Sequence, residues 1–97
     1  MEDILTIEMA FGIVIRRLRK EQLLSQEELS RISSLDRGFI SQLERGKQKP
    51  TIITIFELAA ALNVSATRIL NETDLLLWFN KVKLRSEEHT SELQSQR

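Results

Sequence analysis

Ninety-seven residues, 41% hydrophobic and 29% charged with three glycines and one proline, describe one compact, mostly helical domain and exclude a disordered or collagen-like chain. There is no cysteine, which excludes a disulfide framework and thiolate metal sites, and the single histidine, His89, sits in a polar tail away from any zinc or general-base partner. The net charge of zero hides an acidic start and a block at 11–50 with nine basic against five acidic residues, the pattern of a phosphate-facing surface or of a solvated helix face.

Along the chain the periodicity is helical, and no alternating strand pattern of useful length appears. Phe11, Val14, Ile15 and Leu18 predict an amphipathic first helix running to about Leu23 or Leu24, with Arg16, Arg17, Lys20 and Glu21 on its polar face. Ser25 with Glu28 makes a capping box that opens a short second helix. That helix is expected to face Leu29 and Ile32 inward, with Ser30 small enough to let another helix cross closely. Residues 33–35 end it, and Asp36 is the next N-cap. The third helix is predicted from Arg37 to about Glu44, burying Ile40 and Leu43. Gly46 is placed to stop it in the left-handed conformation, and Lys47 and Lys49 belong to a basic loop reaching Pro50. A fourth helix follows from about Thr51, with Ile52, Ile55, Leu58, Ala59 and Leu62 inward and Asn63 closing it. Ser65 caps a brief fifth helix through Ile69 and Leu70. From Asp74 onward Leu75, Leu76, Leu77, Trp78, Phe79 and Val82 form a dense apolar segment within 73–84. It packs over the domain's own core, onto a dimer mate, or against another protein through Leu75, Leu76, Trp78 and Phe79. No run reaches the ~18–20 apolar residues of a membrane span, and the acidic N-terminus is unlike a signal peptide, so the cytoplasm is the expected compartment.

Residues 25–46 have the layout of a helix-turn-helix, two short helices around a tight turn. The first places Gln26 beside the free N–H groups of its N-terminus, where a phosphate can sit. The second would enter a major groove with its N-terminal residues leading. With Ile40 and Leu43 turned inward, the 3.6-residue period leaves Arg37, Gly38, Ser41 and Gln42 outward. Arg37 can bond guanine O6 and N7 bidentately, and Gln42 can do the same to adenine N6 and N7. Gly38 costs the helix about 1 kcal/mol against alanine, which fits either close approach to DNA or a tolerated surface glycine.

The string S-Q-E-E-L-S-R-I-S-S-L-D-R-G-F-I-S-Q-L-E-R-G, followed by L-A-A-A-L-N-V-S, resembles the DNA-binding domain of the Xre family, Cro/C1-type proteins that include phage repressors and Cro. The resemblance covers about 8–72. It implies a compact five-helix, all-α bundle with recognition by the third helix. It also implies a cofactor-free transcriptional regulator, repression being the expected effect, that binds a double-stranded DNA operator as a homodimer. The two half-sites would lie about 34–36 Å apart. In the family pattern Gln26 touches phosphate and braces the recognition helix. Arg37, Gly38 and Gln42 match base-reading positions, with Ser41 on the same edge. Arg45, Lys47 and Lys49 match the basic loop that grips the backbone, and Arg19 and Glu44 match an ion pair linking the first helix to the end of the third. Leu23 and Ser34 stand where the family usually has glycine, at positions where a positive φ would favour it.

Two other readings of the same residues stay open. One is the antitoxin of a toxin–antitoxin pair that also binds its own operator; the other is a protein-binding module without DNA contact. An enzyme is disfavoured, since there is no phosphate loop, metal-ligand spacing or nucleophile–base pair, and Glu27-Glu28 fits a helix start. Residues 85–95, R-S-E-E-H-T-S-E-L-Q-S, resemble the in-frame translation of a common sequencing-library adapter. The expectation is a native frame interrupted near Leu84 and an artefactual, disordered tail at 85–97, with a genuine polar tail as the alternative.

Overall fold

The computed structural model describes residues 4–88, so His89 and most of the adapter-like tail lie outside the described residues. Within them the chain forms α1 (Ile7–Glu21), α2 (Gln26–Ser33), α3 (Arg37–Glu44), α4 (Ile52–Ala61) and α5 (Ala66–Glu88), and no strand. Each start has a local cause. Thr6, Ser25, Asp36 and Thr51 hold extended backbone and accept from an N–H of the first turn that follows. At the start of α5, Ser65 Oγ accepts from Arg68 N at 3.0 Å.

Three of the helices end in the same way. After α1, α3 and α4 the residue past the cap turns left-handed: Leu23 (φ 60°), Gly46 (φ 75°) and Asn63 (φ 57°). The following N–H then reaches back five residues, Leu24 to Arg19 O at 3.1 Å, Lys47 to Gln42 O at 2.9 Å and Val64 to Ala59 O at 3.0 Å. This closure satisfies carbonyls that would otherwise be left open. It also stops α1 at Glu21, short of the expected Leu23 or Leu24, because Leu23 has already left the helix.

The core is one cluster. Phe11, Val14, Ile15 and Leu18 of α1 meet Leu29, Ile40, Leu43, Leu58, Leu62 and Ile69 from the other four helices. α1 packs on α3 and α5, α2 on α3 and α4, and α4 on α5. The α1–α3 approach is close at Gly12, where an added Cβ would lie 2.3 Å from the Leu43 carbonyl oxygen and 2.8 Å from that of Glu44.

Two inward assignments do not hold. Ile32 is 53% exposed; Leu29 and the buried Ser33 take the inner line of a helix only eight residues long. Ile52 is 67% exposed, because the buried line of α4 runs through Thr54, Leu58 and Leu62 and the helical period turns Ile52 away from it.

The brief fifth helix also extends further than expected. Its polar residues 71–73 do not break it, since Thr73 donates to the Ile69 carbonyl at 2.8 Å and Glu72 is paired from two sides. Glu72 accepts from Arg68 Nε at 2.7 Å and from Arg17 of α1, and Arg68 lies 3.6 Å from Glu21. These bonds hold the Glu72 carboxyl below the usual carboxylate range, the Arg68 bond contributing most. They fasten the start of α5 along α1. Further along, Leu5 N donates to Asn80 Oδ1 at 3.3 Å. No single described helix is long and apolar enough to cross a membrane.

Candidate nucleic-acid interface

α2 and α3 are short helices whose relative position is fixed by polar contacts at both ends. At the start of α2, Ser25 Oγ accepts from Glu28 N at 3.0 Å while Glu28 Oε1 accepts from Ser25 N at 2.8 Å, completing the expected capping box. The backbone N–H of Ser25 lowers the Glu28 carboxyl below its ordinary value, with help from the Ser25 hydroxyl. In the turn, Ser34 is left-handed at φ 64°, as a glycine position would be. Ser33 Oγ accepts from Leu35 N at 3.2 Å, and Ser30 Oγ donates to the Leu35 carbonyl, so the small side chain of Ser30 also ties the turn down. Asp36 then caps α3 through Gly38 N at 3.0 Å.

The other end of α3 is clamped by Glu44. Arg19 approaches it in a fork, Nε to Oε2 at 2.7 Å and Nη2 to Oε1 at 2.9 Å, with both residues 8% exposed. The remaining Arg19 nitrogen, Nη1, donates to Leu24 O at 2.8 Å. The Glu44 hydrogen bond raises the Arg19 pKa further above its already high value, against the opposing effect of burial. Gln26 Nε2 donates to Glu44 Oε1 at 3.0 Å, which ties the first residue of α2 to the last of α3. One carboxylate therefore joins α1, α2 and α3.

The remaining sequence-selected residues lie outside this clamp. Arg37, Gly38 and Gln42 are exposed on α3 and Ser41 is half-buried beside them, whereas Gln26, half-buried at the start of α2, belongs to the clamp itself. Ile40 and Leu43 are fully buried, so the outward edge of α3 is the one the period predicts. An added Cβ at Gly38 would meet only the capping oxygen of Asp36, at 3.0 Å. Arg45, Lys47 and Lys49 are exposed after α3, and Arg45 Nε bonds Ser41 O at 3.4 Å. Lys47 and Lys49 share the wall of a shallow depression with Glu8, Gly46 and Gln48, so an acid of α1 stands among the lysines.

Sequence reasoning missed Gln48, whose Nε2 donates to Gln42 Oε1. This is the oxygen a bidentate contact to adenine would use, and its second lone pair leaves that contact available. The only signal was Gly46, whose left-handed turn folds the chain back toward α3. A long exposed edge bearing a guanidinium, a carboxamide and a bare backbone, flanked by three cations, can read base edges and hold phosphates.

Known proteins resemble this chain in sequence and in fold. Residues 15–69 match the helix-turn-helix family HTH_3. An uncharacterized HTH-type transcriptional regulator, y4dJ, of Sinorhizobium fredii is 47% identical over 63 residues, 65% of this chain and 82% of the relative. The restriction-modification controller protein C.AhdI of Aeromonas hydrophila superposes with a TM-score of 0.63 at 35% identity, covering 64% of this chain and 94% of that one. The controller protein C.Esp1396I, as a tetramer in complex with its natural 35-base-pair operator, gives 0.69 at 28% identity, covering 74% and 95%. With its five-helix all-α bundle and the motif at α2–α3, this chain belongs to the HTH_3 helix-turn-helix family, the Cro/C1-type fold.

Proposed function

We propose that the chain is a transcriptional regulator of the repressor type that binds double-stranded DNA sequence-specifically as a homodimer and carries out no catalysis. The observation that carries this reading is the outer edge of α3. Arg37, Gly38 and Gln42 face solvent on a helix whose other side is sealed into the core and whose end is clamped by Glu44. Such an edge enters a major groove with its first residues leading. Arg37 then reads guanine, Gln42 reads adenine, and Gly38 lets the backbone come close. Gln26 and the α2 N-terminus rest on one phosphate, while Arg45, Lys47 and Lys49 hold the backbone beside the reading helix. Self-association on DNA is supported by the operator-bound tetramer of the related controller protein. It implies two half-sites about one helical turn, 34–36 Å, apart. The compartment that goes with this role is the cytoplasm.

Binding selections on the purified chain test the assignment. Arg37→Ala is expected to relax base preference at one operator position by about 1–3 kcal/mol. Lys47→Ala is expected to weaken all sequences alike and to lower the salt slope by about 1. The reverse pattern, with Lys47 setting preference and Arg37 only the salt slope, overturns the roles. No retention of any DNA fragment at low ionic strength overturns the function.

A further inference from the structure

We propose that Gln48, in the loop after α3, is a positioning residue that fixes which way the carboxamide of Gln42 faces, and so lets the chain tell a base pair from its reverse. The inference rests on the reading edge proposed above and names a specificity determinant outside the reading helix. Gln48 is half-buried, whereas Gln42 is exposed on the edge. Gln48 Nε2 donates to Gln42 Oε1. The backbone beside it is tied to the same residue, since Lys47 N donates to the Gln42 carbonyl at 2.9 Å. Gly46, left-handed at φ 75°, makes that return possible. The turn is seated on α1, for an added Cβ at Gly46 would lie 2.8 Å from Met9 Cγ. Two consecutive residues of one packed turn therefore hold Gln42, one by its backbone oxygen and one by its side-chain oxygen.

A carboxamide carries a donor and an acceptor side by side, and turning it over exchanges them. In the major groove an A·T pair presents acceptor, donor, acceptor and then the thymine methyl, while G·C presents acceptor, acceptor, donor. Each reverse pair presents the mirror image. Guanine O6 with cytosine N4 therefore suits one orientation of the amide in G·C and the other in C·G. A glutamine free to turn over accepts both, and it loses rotamer freedom when it binds either. With Oε1 engaged by Gln48, the acceptor side of Gln42 faces the loop and its donor side faces away. Oε1 keeps a second lone pair for adenine N6 while Nε2 donates to N7. Turning the amide over breaks the bond to Gln48 unless Gln48 turns as well. Gln48 shares the wall of its depression with Lys47 and Lys49 against one acid, Glu8, and a net positive wall draws the Gln48 oxygen toward itself, leaving Nε2 for Gln42. A duplex laid over the pair excludes water and makes an unmade bond there more costly. Arg37 carries donors only and has no such ambiguity, so Gln42 is where a fixed orientation changes what is read.

Binding selections with the full chain on randomised duplexes test the proposal. They read the ratio of the preferred base pair to its reverse at the operator position where Gln42→Ala abolishes preference. Gln48→Met keeps the length and removes the donor; it should lower that ratio by about threefold or more while circular dichroism shows the same fold. Gln48→Glu puts an acceptor in its place, which pairs with Gln42 Nε2 and turns the amide over, so the preferred pair at that position should change. In a Gln42→Ala background neither exchange should alter preference there. In the DNA-free chain, nitrogen-15 spectra should show the Gln48 side-chain amide exchanging more slowly than that of Gln42, and Gln42→Leu should remove the difference. A ratio unmoved by both Gln48 exchanges, an effect that survives Gln42→Ala, no position lost to Gln42→Ala, or a slower amide on Gln42 overturns the proposal. The arms keep the two readings apart. DNA retained with a preference indifferent to Gln48 sinks this proposal alone; a slowed Gln48 amide in a chain that retains no DNA sinks the regulator and the specificity role together.

Discussion

At residue scale the least expected side chain is Leu23. It is 89% exposed and left-handed, in a position that closes α1 as Gly46 closes α3. Left-handed backbone costs a residue with a Cβ about 1–2 kcal/mol, and a side chain this exposed returns little of it through packing. Leu23→Gly is therefore expected to stabilise the chain by about 1 kcal/mol, seen as a rise in Tm of roughly 4–8 °C. A fall in Tm would show that Leu23 makes a contact worth more than the strain. Ser34 carries the same conformation at lower cost, since its short polar side chain suits a turn. Both positions stand out in the sequence as departures from glycine, and the backbone keeps the glycine-like geometry. Gln48 was not legible in this way, because its partner Gln42 lies across a turn and no periodicity links them.

At the scale of elements, the distance between α1 and α3 is set by Gly12. A methyl group there would press on backbone oxygens, which cannot swing aside as a flexible side chain could. Gly12→Ala is expected to destabilise by about 1–3 kcal/mol through overpacking, although alanine alone favours a helix by about 1 kcal/mol. Urea unfolding measures the balance, and an unchanged midpoint would mean that α1 can slide. The helices themselves were largely readable: α2 and α3 begin where Ser25 and Asp36 place them, and α3 spans Arg37–Glu44 as its apolar spacing requires. The exposed sides of Ile32 and Ile52 were not readable. A period of 3.6 gives a face its direction but does not say which neighbour covers its margin. The continuity of α5 was hidden for a related reason, since its polar residues Glu72 and Thr73 are satisfied by Arg17, Arg68 and their own helix.

At the scale of the whole molecule, two carboxylates with lowered pKa values join parts of the chain. Glu28 is held by the Ser25 cap and Glu72 by Arg68 and Arg17 across α1 and α5. In each case the unfolded chain binds the proton more readily than the folded one. Their contribution is complete above the ordinary glutamate value of about 4.3 and is lost as pH falls through the lower folded values. Tm is thus expected to be flat from pH 7 to about 5 and to drop below about 4, with Glu72→Gln flattening part of the drop. A Tm that rose on acidification would contradict the role given to both groups. The raised pKa values of Arg19 and Arg68 act in the opposite direction, and only at alkaline values beyond the range where the chain would be studied.

Glu44 has a consequence for how such a protein can diverge. Because Arg19 and Gln26 hold the far end of α3 from within, Arg37, Gly38, Ser41 and Gln42 contribute little to keeping that helix in place. Those four positions behave like exchangeable type in a fixed press. Under the proposed reading of that edge, new letters set there would retarget the protein to another genomic address while the frame that delivers them stays the same.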